Sequence, residues 1–527
     1  MAGEVRNVSK SEVDERLSAL LNNASAIRAV ASAVEGTIGP KGLNCMLVDR
    51  FGDVVITNDG ATILSKIEVN HPAGKMLINA AKAQDEEVGD GTTTVTLIAS
   101  TLISEGVNQV LRGVPVAKVI EGIKVGVKRA ISLLEEHSRP VEDFSSPLLF
   151  RAAYIAGRGN EDIASIAVEA ARIMGKEKLL DPSFKLKDMV VAKEGANNEV
   201  FLGLIIEKER MNRQMPRRVD KALVLVVDDA LEPEEIEDDA LATESGFREY
   251  QRLREEFRKG IEKIISLGVK FVAVSKGVDR LAEEMLTDAG VMVLRRLSNK
   301  DITKIAEHTG AKPIKRTSLM KSKEELQGFL GYAETIYNDE KLENTRIMGG
   351  KGKPVATILV GAATEEVKEE RERIAKDAAA AVQMAIKGGV LPGGGAIELY
   401  AIKEVQRARE EIKGMAVYGI DCVIEALKKP LTQIVLNAGF NPLEKIGDVL
   451  ARQSKEDNDA LAIDCDTGEV ADMMELGVVD PTPVKVFALK TAGELAEAIL
   501  SINMIIKKRE EIPSEEKKTT QSKEDEL

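Results

Sequence analysis

Helical text at both ends of this chain encloses a strand-rich middle, and that order limits the folds open to it. Alanine-rich amphipathic runs at 24–36, 74–88 and 93–111 fill the first part, followed by a helical stretch from about 115 to 137 that stops before Arg139-Pro140. Between them, apolar runs at 45–48 and 54–57 flank Asp49-Arg50-Phe51-Gly52-Asp53, a hairpin signature. The texture then changes. MVVAKEG, VFLGLIIEK and ALVLVVDD are strand-length pieces within 186–230. A charged helix over 245–266 keeps Phe247, Tyr250, Phe257, Ile261 and Ile264 on one stripe. Strands at 269–275 and 291–296 alternate with helices at 278–289 and 300–308, the pattern of an α/β layer domain. After a strand at 354–361, a long helix with Thr364 as its N-cap runs to Gly388-Gly389. The remainder is mainly helical, with a hairpin-like stretch at 459–471. The order helical, mixed, α/β, short helical return, helical reads as a palindrome. It predicts nested domains, the outer ones each built from two distant segments, and 527 residues are too many for one core.

Composition removes several function classes. A net charge of -14 argues against a broad electrostatic surface for nucleic acid or an anionic membrane. Cys45, Cys422 and Cys465 lack paired spacing, and three histidines without ligand spacing make His-based metal catalysis improbable. With aromatic residues at 3% and no Trp, the cores must be built from Ala, Val, Ile and Leu. The N-terminal MAGEVRNVSK lacks an apolar signal region and no stretch reaches transmembrane length. The closing Lys523-Glu524-Asp525-Glu526-Leu527 therefore reads as a charged tail rather than a luminal retention signal, and a cytoplasmic location is expected.

Three glycine-bearing loops carry the chemistry. They are Thr37-Ile38-Gly39-Pro40-Lys41-Gly42, Thr57-Asn58-Asp59-Gly60-Ala61-Thr62 and Gly89-Asp90-Gly91-Thr92-Thr93-Thr94, the last opening a helix. Glycines let backbone N–H groups approach a polyphosphate, and a helix N-terminus adds its dipole. Consecutive threonines add hydroxyl donors, and Asp90 is a carboxylate suited to Mg²⁺ alongside phosphate oxygens. No GxxxxGK[ST] sequence occurs, so this is a different phosphate cradle. Any one loop alone reads as a turn or helix cap, with Asp90 as a simple N-cap; three in the first hundred residues do not.

GTIGPKG, VITNDGAT and VGDGTTT, in this order and spacing, resemble the nucleotide-site motifs of chaperonins. Leu391-Pro392-Gly393-Gly394-Gly395, Asp466-Thr467-Gly468-Glu469 and the run Leu476–Pro481 agree, and the resemblance spans essentially the whole chain. It implies a multi-domain fold. A mainly α equatorial ATP-binding domain takes 1–142 and 388–527, and a small α/β intermediate domain takes 143–212 and 362–387. An α/β apical client-binding domain takes 213–361, with a helical protrusion at about 232–265. It further implies that Thr37, Ile38, Gly39 and Pro40 lie along the phosphates, with Asn58 and Gly60 in the adjoining loop. Gly89 and the run Asp90 to Thr94 take phosphate and metal. Gly394 approaches the ribose, Asp464 and Cys465 edge the adenine, and Asp480 meets the ribose hydroxyls. Asp377, sixteen residues before Gly393, is implied as the carboxylate that activates water, with Asp59 placing that water or a monovalent cation, potassium in this reading.

The charged stretch 232–265 and the wording TNDGATIL, EVGDGTTTVTL and ELGVVDP side with chaperonins that carry their own lid, of the thermosome type. Leu241 and Phe247 near the protrusion tip are expected to touch a neighbour or a client, or to pack within the protrusion. Where that class usually has a phosphate-sensing lysine, Ala156-Gly157-Arg158-Gly159 offers Arg158, whose fork can also hold phosphate. The departure points to a divergent lineage, a bacterial relative of the archaeal type (group III) being the candidate. The implied activity is ATP hydrolysis that closes the lid over unfolded clients, with self-association into stacked rings of eight and no separate cap protein. A non-hydrolysing holdase and a small-molecule kinase are the competing readings. The first would be favoured by loss of Asp59, Asp90 or Asp377, all present, and the second needs an acceptor base that is not found.

Overall fold

The structure, a computed structural model, describes residues 4–48, 50–52, 54–234 and 243–503. Its apolar residues separate into distinct cores. The first joins Leu20–Leu134 to Leu391–Leu500, and Val95, Ile98, Leu102 and Ile103 of the helix Thr92–Leu111 lie at its centre with 1% exposure or less. The helices Val116–Glu136 and Val417–Asn437 cross there glycine on glycine. A Cβ on Gly122 would overlap the Ala416 carbonyl oxygen and lie 2.7 Å from Gly419 Cα. Such close backbone approach is open only to residues without a side chain.

The second core joins residues 141–192 to 356–390. In it the helices Pro147–Ala156 and Glu161–Met174 pack on the alanine-rich face of the helix Glu365–Gly388. Beyond it lies an eight-stranded mixed sheet. Its strands, in spatial order, are Val190–Glu194, Ala356–Ala362, Glu199–Ile206, Asn344–Met348, Gly331–Asp339, Arg218–Val227, Val269–Val274 and Met292–Leu294. Alternation along the strands divides its two faces. Val224, Val226, Phe271 and Ala273 enter one core, while Leu225, Val227, Val272 and Val274 enter another.

The chain passes between the first two cores at residues 139–141 and again at 388–390. These passages are hydrogen-bonded to each other, Arg139 N–H to Val390 O and Val390 N–H to Arg139 O, both at 2.9 Å. The strand Val390–Pro392 also pairs with Val479–Pro481, which sets Leu391 opposite Asp480.

Most expected elements lie within a few residues of their places. The first helix instead spans Glu4–Ser32 and gives way to a 3₁₀ turn at Glu35–Thr37. Thr364 precedes the long helix, but its side chain makes no cap bond, so local backbone groups and packing, not that hydroxyl, start the helix. The hairpin Cys45–Val48/Val54–Thr57 leaves one apolar face open: Met46 is 62% exposed opposite Ile56 at 57%, and Val48 62% opposite Val54 at 51%. On the charged helix Glu244–Ser266, Phe257, Ile261 and Ile264 are buried, whereas Phe247 is 52% exposed and does not join that core. Leu241 lies outside the described residues. Among the described residues no helix is long and apolar enough to cross a membrane.

Candidate functional site

A cleft of about 580 Å³ lies between the first and second cores. Ile38, Gly39 and Pro40, Asn58, the Asp90-Gly91 turn with Thr94, Gly394 and Asp480 reach it from the first core. Arg158 and Gly159 reach it from the second, at the end of the helix Pro147–Ala156. Arg158 itself has a positive φ of 53°, a local bend that turns the side chain back over the cleft.

Each loop is held by identifiable bonds. Asn437 Nδ2 donates to the carbonyls of Glu35 and Ile38, both at 2.9 Å, and so fixes the first glycine loop. Asp59 caps the helix Gly60–Lys66 through the Thr62 amide at 2.8 Å. Gly60 packs its bare backbone against Thr92 and Thr93. Gly89 ends the helix Pro72–Val88 with φ 76°, and a Cβ there would run into Ala380. The phosphate-loop candidate therefore touches the helix that carries Asp377, one turn away. Gln84 Nε2 donates to the Asp90 carbonyl at 2.8 Å and the Val484 carbonyl at 3.0 Å, tying the third loop to the helix Thr482–Leu500.

The electrostatics are those of a carboxylate cluster. Burial pushes Asp90 up to about 6, and the charges of Asp480 and Asp59 add to the effect; the Gly91 amide, 2.5 Å from Asp90 Oδ1, and Arg158 pull the other way. Asp377 keeps a fifth of its side-chain surface open. Burial first, then Asp90 and Asp59, hold it well above the ordinary carboxylate range, against the pull of Arg158. Arg158 stands 4.0 Å from Asp377, donates to Glu370 at 2.5 Å and bonds Asn58. Arg373 joins the same network, 2.8 Å from Glu370, 2.5 Å from the Thr57 hydroxyl and 3.8 Å from Asp59.

Several expected contacts are not among the cleft-lining groups. The Thr37 hydroxyl and its backbone N–H both donate to the Val34 carbonyl, at 2.8 and 3.0 Å, so this residue is spent on the turn. Thr92 is buried beneath Gly60. Asp464 accepts from the Asp466 amide at 2.9 Å and the Thr467 hydroxyl at 3.0 Å, which closes a hairpin turn. Cys465 is buried behind that turn, where burial pushes its thiol up to about 11. Lys41 pairs with Asp466 at 2.6 Å and joins this turn to the first loop.

Other residues escaped sequence reasoning. Glu370, Arg373, Glu398 and Lys485 all belong to the site or border it. The signal for Lys485 was a lone charge in the apolar run TPVKVFAL; Glu398 and Glu370 looked like ordinary helix charges.

Known proteins resemble this chain over most of its length. The profile of the TCP-1/cpn60 chaperonin family matches residues 30–510. The thermosome subunit of Pyrococcus abyssi is 35% identical over 503 residues, which cover 92% of this chain and 90% of its own. Thermosome subunit beta of Archaeoglobus fulgidus is 35% identical over 500 residues, covering 92% and 91%. Among solved structures, the crystal structure of a group III chaperonin in the open state superposes with a TM-score of 0.87 at 46% identity, covering 94% of this chain and 100% of that one. With a profile that spans both outer segments and the strand-rich middle, and relatives alike over nine-tenths of their length, the chain belongs to the TCP-1/cpn60 chaperonin family.

Proposed function

We propose that this chain is an ATP-dependent chaperonin subunit whose cleft binds and hydrolyses ATP to drive the enclosure and folding of unfolded proteins. The observation that carries the reading is the meeting of Asp59, Asp90 and Asp377 with Arg158 across the joint between two cores. Phosphoryl transfer is mostly positioning and charge neutralisation, so a carboxylate on a second body suits a reaction switched by closure. In this reading Asp377 takes the proton of the attacking water, Asp59 orients it, and Arg158 answers the terminal phosphate. The backbone of Ile38 to Pro40 and the turn Asp90 to Thr94 cradle the phosphates, and Asp480 receives the ribose.

The residues fit a magnesium ion. Among the described residues no group of three His, Cys, Asp or Glu could hold a metal by itself, yet burial and the neighbouring carboxylates raise the pKa of Asp90, a setting that calls for a cation. Mg²⁺ takes one or two carboxylates and fills its shell with water and phosphate oxygens, and bound beside Asp90 it would neutralise developing phosphate charge. A potassium ion near Asp59 is part of the same proposal. The measurement is ATP turnover and client refolding by the purified oligomer with and without Mg²⁺. Turnover coupled to refolding is expected; client binding without turnover would replace this reading with that of a holdase.

Binding should depend on pH in a stated direction. A cation at Asp90 must displace its proton, so magnesium–nucleotide affinity is expected to fall as the pH drops below about 6, and Asp90→Asn to remove that dependence along with tight binding. Calorimetric titrations between pH 5 and 8 check it. For the ligand-free fold the sign is opposite. Asp90 is raised from 3.8 to about 6, so the folded chain holds a proton that the unfolded chain has shed, and this group's stabilising contribution is lost as the pH rises through that window.

Self-association into rings, eight to a ring and stacked in pairs, is part of the proposal. The open apolar face of the hairpin, Met46, Val48, Val54 and Ile56, supports it, since contiguous exposed apolar surface marks an association site. Met46→Lys with Ile56→Lys is expected to shift the protein from the ring to the monomer in light-scattering chromatography. The 232–265 segment would serve as lid, Leu241 and Phe247 as its contacts, and the equatorial, intermediate and apical boundaries as given above. A cytoplasmic location belongs to the same reading.

A further inference from the structure

Lys485 is 7% exposed and Glu398 2%, a depth at which Lys and Glu are rare unless paired. Lys485 Nζ lies 2.6 Å from Glu398 Oε1 and 2.8 Å from Asp480 Oδ2. Glu398 is the third residue of the helix Ala396–Glu411, which follows the Gly393–Gly395 loop, and Lys485 is in the first turn of the helix Thr482–Leu500, which follows the Asp480 strand. Two helices that begin at the cleft thus bring their first turns together around one ammonium. Glu398 Oε2 is buried without a partner, so the group retains an unspent carboxylate oxygen and a surplus negative charge. Burial works against the ammonium, and Asp480 and Glu398 outweigh it and hold Lys485 above its ordinary range. Asp480 is 27% exposed in the cleft, and a Cβ on Gly393 would lie 3.2 Å from its Oδ2.

Resting on the nucleotide reading of the cleft, we infer that Lys485, locked by Glu398, is the positioning residue that fixes Asp480 as a hydroxyl acceptor and so sets the preference for a ribose over a 2′-deoxyribose nucleotide. One oxygen of Asp480 is occupied by the ammonium and its backbone is held in the ladder with Leu391, which leaves the other oxygen in a single orientation. An acceptor held in one orientation against the 2′-hydroxyl discriminates between a sugar that has that donor and one that keeps only its 3′-hydroxyl; a carboxylate free to rotate is satisfied by water instead and discriminates little. Glu398 touches no nucleotide in this scheme. It keeps Lys485 charged and in place.

The test compares KM for ATP and for 2′-deoxy-ATP in the assembled wild type, Lys485→Met and Glu398→Gln. One hydrogen bond to a charged acceptor predicts a wild-type ratio of about tenfold. The ratio is expected to fall towards one in Lys485→Met and to an intermediate value in Glu398→Gln, which preserves shape if the methionine variant fails to assemble. A wild-type ratio that persists in the assembled variants overturns the inference and leaves the nucleotide site standing. A wild type that binds neither nucleotide in direct titration overturns the reading of the cleft itself.

Discussion

Asp377→Ala is expected to lower kcat for ATP hydrolysis by about 10²- to 10⁴-fold while nucleotide binding persists, the range associated with loss of a positioned general base. The side chain is not among the groups lining the cleft; it stands on the helix Glu365–Gly388, 4.0 Å from Arg158, which does line it. Its pKa is lifted by burial and by the charges of Asp90 and Asp59, which makes it a stronger base than an ordinary aspartate. Removing it relieves repulsion in the cluster, so affinity for an anionic nucleotide has no reason to fall. Asp377→Asn keeps the shape and loses the base, and should match the alanine variant in rate. Because the carboxylate must be ionised to act, wild-type turnover should decline as the pH falls through its raised pKa. Single-turnover phosphate release, beside equilibrium binding, measures both quantities. Equal turnover in variant and wild type would show that another group activates the water.

Gly122→Val is expected to unfold the first core or lower its melting temperature by roughly 5–10 °C, at a cost of about 1–3 kcal/mol for overpacking and more where backbones must part. The obstacle is rigid. The new side chain meets the Ala416 carbonyl oxygen, Gly419 Cα and the Ile420 amide at 2.9 Å, all main-chain atoms of a helix packed on its other sides. The converse substitution at Gly419 meets the Val119 carbonyl and Gly122 Cα at 2.8 Å, so the crossing is reciprocal. Gly447→Ala is the control: its Cβ meets nothing within 4 Å, it lies inside the helix Pro442–Glu456, and a gain of about 0.5–1 kcal/mol is expected. Thermal scans of the three proteins under one set of ligand conditions decide the matter. If valine is tolerated, the helices are not in backbone contact there.

Features written in a local alphabet were legible in the sequence. The 3.6-residue spacing of apolar residues marked the helices, and glycines with acidic and hydroxyl neighbours marked the three loops. Chain order alone implied nested domains. Contacts between distant segments were not legible. Glu398 and Lys485 are 87 positions apart, and Glu370 and Arg158 are 212 apart, and nothing local distinguishes such charges from solvated ones. Thr37 and Asp464 illustrate the converse. Each has the right chemistry in the right motif, yet spends its side chain on a turn of its own backbone. Phe247 was read into an apolar stripe whose period was correct, but the stripe continues past the end of the core that buries its lower members.

The paired passages at Arg139 and Val390 have a mechanical consequence. Two strands joining two bodies could permit bending, twisting and sliding. Here they are laced side by side, with Ser138 bonded to the Gly388 carbonyl at 2.7 Å and the Thr482 hydroxyl at 2.6 Å, and Val390 in register with Pro481. Lacing of this kind opposes twist and slide between the bodies more than it opposes bending, like a pin through a door. The pin also runs through the strand that bears Asp480. On the proposed function, occupancy of the cleft and the angle of the joint are expected to move together, as a crank and its shaft do.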